Sequence, residues 1–210
     1  MKIRPLKREE TQKEKQKKNL IIMGIIMIGL MVFSTVGYAF FDGSFTESQK
    51  TKYKTYEFTT NGENWQTKIK ISGSETIINS FYLPQDIENI SMTGTLLLSD
   101  FEGKTIYFVT NNTNRERNAV SKIYSDFEGY FTRSQLACAL ENENTTFCSN
   151  LPIKSCDDAN QNSMIIQITE ITNSTAVIDY KNNCLTVSGD GADLLKTADR
   201  ILFESYGIIS

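Results

Sequence analysis

Apolar residues run without a charge from Leu20 to Phe41, LIIMGIIMIGLMVFSTVGYAFF. As a helix rising 1.5 Å per residue, this stretch covers roughly 30 Å, the thickness of a bilayer's hydrocarbon core. The pattern predicts a transmembrane helix over 19–41, with Tyr38, Phe40 and Phe41 placed as interfacial aromatics. Gly24 and Gly29 are five positions apart and do not form a GxxxG packing face. The rival reading is a cleavable signal, since Gly37-Tyr38-Ala39 satisfies a small-residue cleavage rule. Signal cores usually run to about 7–15 apolar residues, so the longer stretch favours a retained anchor.

Beyond the apolar run the pattern becomes that of a folded domain. Residues 42–54 are polar without an apolar period and read as a stalk. Tyr56 and Phe58 alternate with polar residues, Asn61-Gly62 marks a turn, and Trp65, Thr67, Ile69 and Ile71 alternate on the return, which predicts a β-hairpin. A third strand is expected over Ile77–Leu83, closed by Pro84, which cannot donate to a ladder. Residues 85–90 read as a helical turn or loop, and Gly94–Ser99 as a short strand.

From Lys104 to Thr110 both faces are apolar, the signature of a buried central strand. Thr113 and Glu116 have capping-box spacing. The helix they open carries Ala119, Val120, Ile123, Tyr124, Phe127 and Phe131 on one wide apolar face. Leu136–Leu140 is predicted to return parallel to the Ile106 strand, completing a right-handed βαβ unit. A cysteine-bearing loop over 141–162 leads to strands at Met164–Glu170, Ala176–Tyr180 and Cys184–Val187. A closing helix follows, with Asp190 at its N-cap, Leu194, Leu195, Ala198, Ile201 and Leu202 buried, and Gly207 past its end. The expected fold is α/β (α+β): a hairpin-rich part over 55–100, then a β-α-β, two-strand and helix part over 104–210, forming one domain over 55–210. Its second half has a thioredoxin-like flavour of shape only, because no CxxC pair is present.

Charge gives this pattern a direction. Of the 22 basic and 25 acidic residues, eight and three lie in 1–18, a net of +5; the rest of the chain carries 14 and 22, a net of −8. A basic cluster beside a span holds its end in the cytoplasm, so the larger part is expected to be exported to the cell surface. Lys17 and Lys18 meet anionic headgroups in this reading and say nothing of nucleic acid. The four cysteines, Cys138, Cys148, Cys156 and Cys184, all lie in the exported part, where an even count favours two disulfides. Three connectivities exist; Cys138–Cys148 with Cys156–Cys184 is preferred, as it ties a strand to its following loop and that loop to the late strands. Four Asn-x-Ser/Thr sequons, at Asn89, Asn111, Asn144 and Asn173, are glycosylation candidates on the same side.

Candidate chemistry is sparse. The chain has no histidine, which removes His-based triads and His metal ligands. Ser188–Asp193 before a helix lacks the lysine of a P-loop and the distal glutamate of an EF-hand, and reads as a turn with a cap. Asp157 and Asp158 beside Cys156 disfavour a thiolate there, so a structural disulfide is the better reading. Trp65, Tyr53, Tyr56, Phe58, Phe81 and Tyr82 read as a core face rather than a ligand groove. Arg115, Arg117 and Lys122 read as a solvated helix face. The pairs Asp126/Glu128 and Asp190/Asp193 have no partner that would make them acid and base. No catalytic, cofactor-binding or metal-binding residue is assigned, and no cofactor is implied.

The order of short motifs runs Tyr82-Leu83-Pro84-Gln85-Asp86-Ile87, Ala137-Cys138, Leu151 through Cys156, Asn183-Cys184, Ala198-Asp199-Arg200 and Gly207-Ile208. Together with the basic tail, the span and the Trp65 hairpin, it resembles short, uncharacterised single-span membrane proteins of archaea. The resemblance implies an archaeal surface setting and carries no activity and no functional residues. The function expected is therefore a membrane-anchored exported domain that binds a partner or helps assemble a cell-envelope complex. Its partners are the lipid bilayer and an envelope protein, without nucleic acid. The alternative is a thiol–disulfide redox protein with a thioredoxin-like shape.

Overall fold

The structure, a computed structural model, describes residues 9–41, 49–60, 62–71, 73–142 and 144–209. It divides into two compact units, Met1–Glu47 and Ser48–Ser210. The first holds helix α1, Glu9–Phe41. From Gln16 to Phe33 this helix is long and apolar enough to cross a membrane, and none of that window is buried. A signal sequence passes the same test. The side chains of Gly37-Tyr38-Ala39, Phe40 and Phe41, the stalk residues 42–48 and Asn61 of the expected turn lie outside the described residues.

The second unit is mixed α+β. An antiparallel sheet runs in order through β1 (Lys50–Tyr53), β2 (Tyr56–Thr60), β3 (Trp65–Ile71) and β4 (Ser74–Ser80). The hairpin stands as expected, but β1 occupies most of the end of the presumed stalk, because Lys50–Tyr53 pairs residue by residue with Tyr56–Thr59. The third strand begins and ends earlier than predicted: Leu83 is the N-cap of a short helix α2 (Pro84–Ile87), whose first turn Pro84 favours. Gly94–Ser99 is not a strand. The strand there is β5 (Ser91–Thr93), and it stops at Gly94, whose φ of +83° and close approach to the Tyr180 carbonyl leave no room for a Cβ. A 3₁₀ turn at Leu98–Asp100 follows.

The six-stranded sheet adds β6 (Thr105–Thr110), β7 (Arg133–Ala137), β8 (Ser163–Glu170), β9 (Val177–Lys181) and β10 (Cys184–Gly189), in the order β5-β9-β10-β8-β6-β7. Strand β6 is an interior strand, one place in from the edge rather than central, and β7 is its parallel neighbour, as the βαβ pattern predicts. Leu136–Leu140 was expected to be the returning strand; the pairing instead starts at Arg133 and leaves β7 on the edge. Strand β8 pairs with β10 in parallel and not with β9, while β9 and β10 form the hairpin. Asn182 and Asn183, both with positive φ, make its two-residue turn.

Helices α3 (Asn114–Phe127) and α4 (Gly191–Ser205) pack against each other and against the six-stranded sheet. The four-stranded sheet closes the same core from the other side: Phe58 of β2 meets Phe203 of α4 edge-on at 5.8 Å. Being covered on two sides explains why α4 buries Asp199, Arg200 and Phe203 as well as Leu194, Ala198, Ile201 and Leu202 of its predicted face; Leu195, also expected there, is only half-buried. Val109, Ala137, Ile165 and Cys184 form a smaller second core on the sheet's opposite face.

Candidate functional site

The densest charge cluster sits where α3, α4 and the end of β4 meet. Lys122 projects from α3 beside the apolar residues Ala119 and Ile123, and its side chain is only 9% exposed. Its ammonium group donates to Asp126 Oδ1 at 2.7 Å and to the Asn79 carbonyl at 3.1 Å. It also lies 3.1 Å from Asp199 Oδ1, an ion pair without hydrogen-bond alignment. Asp199, fully buried on α4, accepts through Oδ2 from the backbone N–H groups of Phe81 and Tyr82, at 2.7 and 2.9 Å. Lys122 is thus not on a solvated face: three acceptors draw it inward, and without it the fully buried Asp199 would have no counter-charge. Asp126 finds its partner there and not in exposed Glu128.

A cleft of about 350 Å³ opens beside the cluster, lined by Asn64, Asn79, Ser80, Phe81, Lys122, Ser125 and Asp126. Ser80 Oγ is buried there without a hydrogen-bond partner. A serine–lysine pair would need Lys122 bonded to Ser80; its ammonium group is instead engaged by two carboxylates, and Ser80 makes no bond to it. The cluster is therefore a tie between helices and sheet.

It leaves a pH signature. Burial pushes the Asp126 carboxyl up to about 6, against the opposing pull of Lys122, and burial raises Asp199 as well. A carboxyl whose folded pKa is raised binds its proton more readily in the folded state, so stability rises as pH falls from about 6 toward the unfolded value near 4. We expect a gain on the order of 2 kcal/mol between pH 7 and pH 4.5. Urea titrations across this range should show that slope in the natural protein and lose most of it in Asp126→Asn; equal slopes in both would refute the assignment.

A second buried carboxylate serves the carboxyl ends of the parallel strands. Glu116 accepts through Oε2 from the Thr110 hydroxyl and the Asn111 N–H, both at 2.9 Å, and through Oε1 from the Glu170 N–H at 2.9 Å. Thr113 returns the capping bond to the Glu116 N–H, as its spacing predicts. Arg115 lies 3.5 Å from Glu170 and 3.6 Å from Asp190. Asp190 caps α4 through Ala192 and Asp193 pairs with Lys196. The cap expected within Ser188–Asp193 is present at Asp190, but the turn is not: β10 runs through Gly189 and α4 begins at Gly191. Among the described residues no cluster of three potential metal ligands occurs.

The other candidates fall into place around these. Disulfides join Cys138 to Cys148 and Cys156 to Cys184, with Cα separations of 5.8 and 5.3 Å, the preferred pairing. Cys138, Cys148 and Cys184 are buried and no described cysteine is free, so the redox alternative has only Cys156 within reach of solvent. Asn89, Asn111, Asn144 and Asn173 are all exposed. Tyr53, Tyr56, Trp65 and Tyr82 pack against the core around Phe58, whereas Phe81 is 44% exposed with the Lys122 ammonium over its ring.

The feature that sequence reasoning missed lies at the far edge of the six-stranded sheet. A groove of about 430 Å³ runs between α3 and β7, floored by Phe108 and walled by Val120, Tyr124 and Leu136, with Arg117 at one end. Thr105 donates to Asn162 on the β8 side, so Ile106 and Phe108 face β7 and bond its odd-numbered residues. Ser134 and Leu136 consequently direct N–H and C=O outward. Cys138 does the same and is met there by the chain itself, donating to the Pro152 carbonyl at 3.0 Å and accepting from Lys154 at 2.9 Å. No protein-family model matches this chain, and no curated protein or solved structure shows significant similarity to it.

Proposed function

We propose that the chain is a single-pass membrane protein whose basic N-terminal end is cytoplasmic and whose C-terminal domain is exported, where it holds a protein partner at the cell envelope. The placement draws support from the basic residues of 1–18, the unburied apolar stretch of α1, the two disulfides and the four exposed sequon asparagines. The observation that carries the binding half is the open β7 edge beside an apolar groove: an unpaired strand edge is a ready template for pairing with another chain. Nucleic acid has no place in this reading, given the net charge of −8 carried by the chain beyond residue 18.

Cross-linking in native membranes tests it. With amine, carboxyl and photoactivated reagents, a discrete heterologous adduct should form on the domain, and protease added outside should degrade the domain while sparing residues 1–18. Recovery of the monomer alone under all three chemistries would count decisively against the reading, as would protection of the domain in sealed cells.

A further inference from the structure

We propose that β7 receives an extended segment of the partner as an added strand, and that this segment carries a large apolar side chain for the groove and a carboxylate for Arg117. The inference rests on the binding reading above and names the site and chemistry through which that binding occurs.

Three observations carry it. First, the edge already accepts strand pairing: the Pro152–Lys154 segment bonds Cys138 as a parallel neighbour, having reached the edge only there, after a 3₁₀ turn at Cys148–Asn150. Ser134 and Leu136, the next two outward-facing positions, offer two donors and two acceptors in line with that pairing. Second, the side chains on that same stretch lead into the groove. Leu136 is 39% and Tyr124 41% exposed, and alternate residues of an added strand would point between them toward Phe108 and Val120. Natural sheets blunt open edges with charges, prolines or bulges; between Ser134 and Ala137 this edge has none of these.

Third, the groove has a charge preference. Arg117 is the one charged residue of its lining, and among the described residues no carboxylate pairs with it; its guanidinium meets only the Asn114 side-chain oxygen. A carboxylate from the incoming segment would complete that guanidinium at the α3 end of the groove. A second copy of this chain is a poorer fit, since its own β7 brings Ser134 and Gln135 and no acid to that end.

The test uses the full-length protein in detergent micelles and a panel of fluorescein-labelled hexapeptides alternating threonine with leucine or phenylalanine, each ending in glutamate or lysine. Anisotropy titrations should find leucine–glutamate members binding with micromolar affinity and their lysine counterparts about tenfold more weakly. Arg117→Glu should reverse that preference without loss of fold, the residue being exposed. N-methylation of the peptide amides separates strand addition from simple apolar contact without altering the protein. Methyl groups on one alternate set should abolish binding and those on the other should leave it within about twofold. Absence of binding to about 1 mM, equal sensitivity of both methyl sets, or indifference to Arg117→Glu would overturn the proposal. So would a concentration-dependent homodimer that protects the Ser134 and Leu136 amides from exchange. A heterologous adduct in membranes that maps away from β7 would sink this inference and leave the anchored binding module standing.

Discussion

Lys122→Ala is expected to cost about 4 kcal/mol of folding stability at pH 7.5, a large share of what an ordinary domain possesses. The loss arises less from the attraction removed than from what it leaves behind. Asp199 is fully buried and Asp126 nearly so, and without the ammonium group both stand as uncompensated buried carboxylates. Two consequences distinguish this cause from a simple cavity. The cost should shrink at pH 5, since protonation relieves the Asp126 carboxyl. It should also be recovered in good part by Lys122→Met with Asp199→Asn, which removes the charge yet keeps an oxygen for the Phe81 and Tyr82 N–H groups. Urea denaturation at both pH values measures all of this. A cost below about 1 kcal/mol, or one independent of pH, would show that the cluster is not the tie between α3, α4 and β4.

That cluster marks where the sequence could and could not be read. Local patterns were legible: the Tyr56–Ile71 hairpin, the Thr113–Glu116 cap, the β6–α3–β7 parallel unit and the cysteine pairing all follow from periodicity, capping chemistry and chain proximity. The errors came where one element meets two others. A periodicity argument assigns each helix one buried face, and α4 has two because a sheet lies on either side; hence Asp199 and Arg200 are buried in a run that reads as amphipathic. Lys122 and Asp126 carry helical i,i+4 spacing, but their third member is more than seventy residues away. The one local hint was Lys122 standing directly beside Ile123 on the apolar flank.

The groove at β7 was illegible for the converse reason. Val120 and Tyr124 belong to an apolar arc also holding Ala119, Ile123 and Phe127, and the arc is wider than the sheet beneath can cover. Because β7 is an edge strand, α3 overhangs it, and the surplus of the arc becomes the wall of the groove. Too broad an apolar stripe on a helix is therefore a sign in the sequence of an open groove, once the strand order shows that the helix lies over an edge.

Removal of the Cys156–Cys184 bridge by paired alanine substitution is expected to lower stability by roughly 3.6 kcal/mol, and removal of Cys138–Cys148 by roughly 2.7 kcal/mol, from the chain entropy each closure denies the unfolded state. The sequence separations, 28 and 10, set that order. The two bridges should differ in kind as well. Cys184 opens β10 and is buried in the second core, so losing its bridge loosens the 141–162 loop from the sheet and should broaden the unfolding transition. Cys138 and Cys148 instead bracket the loop that returns as the Pro152–Lys154 segment on the β7 edge. Freed from its bridge, that segment should exchange its backbone bonds with solvent faster. The exchange rate of the Cys138 position and of Lys154 is then the sensitive readout, rising at least tenfold while the core strands β6 and β8 stay protected. Unfolding midpoints that fall equally for both variants, or protection of Lys154 unchanged by loss of Cys138–Cys148, would mean that the loop holds itself in place. With both effects present, the bridge sets where the chain's own pairing of β7 stops, and so how much of that edge is left open to a partner.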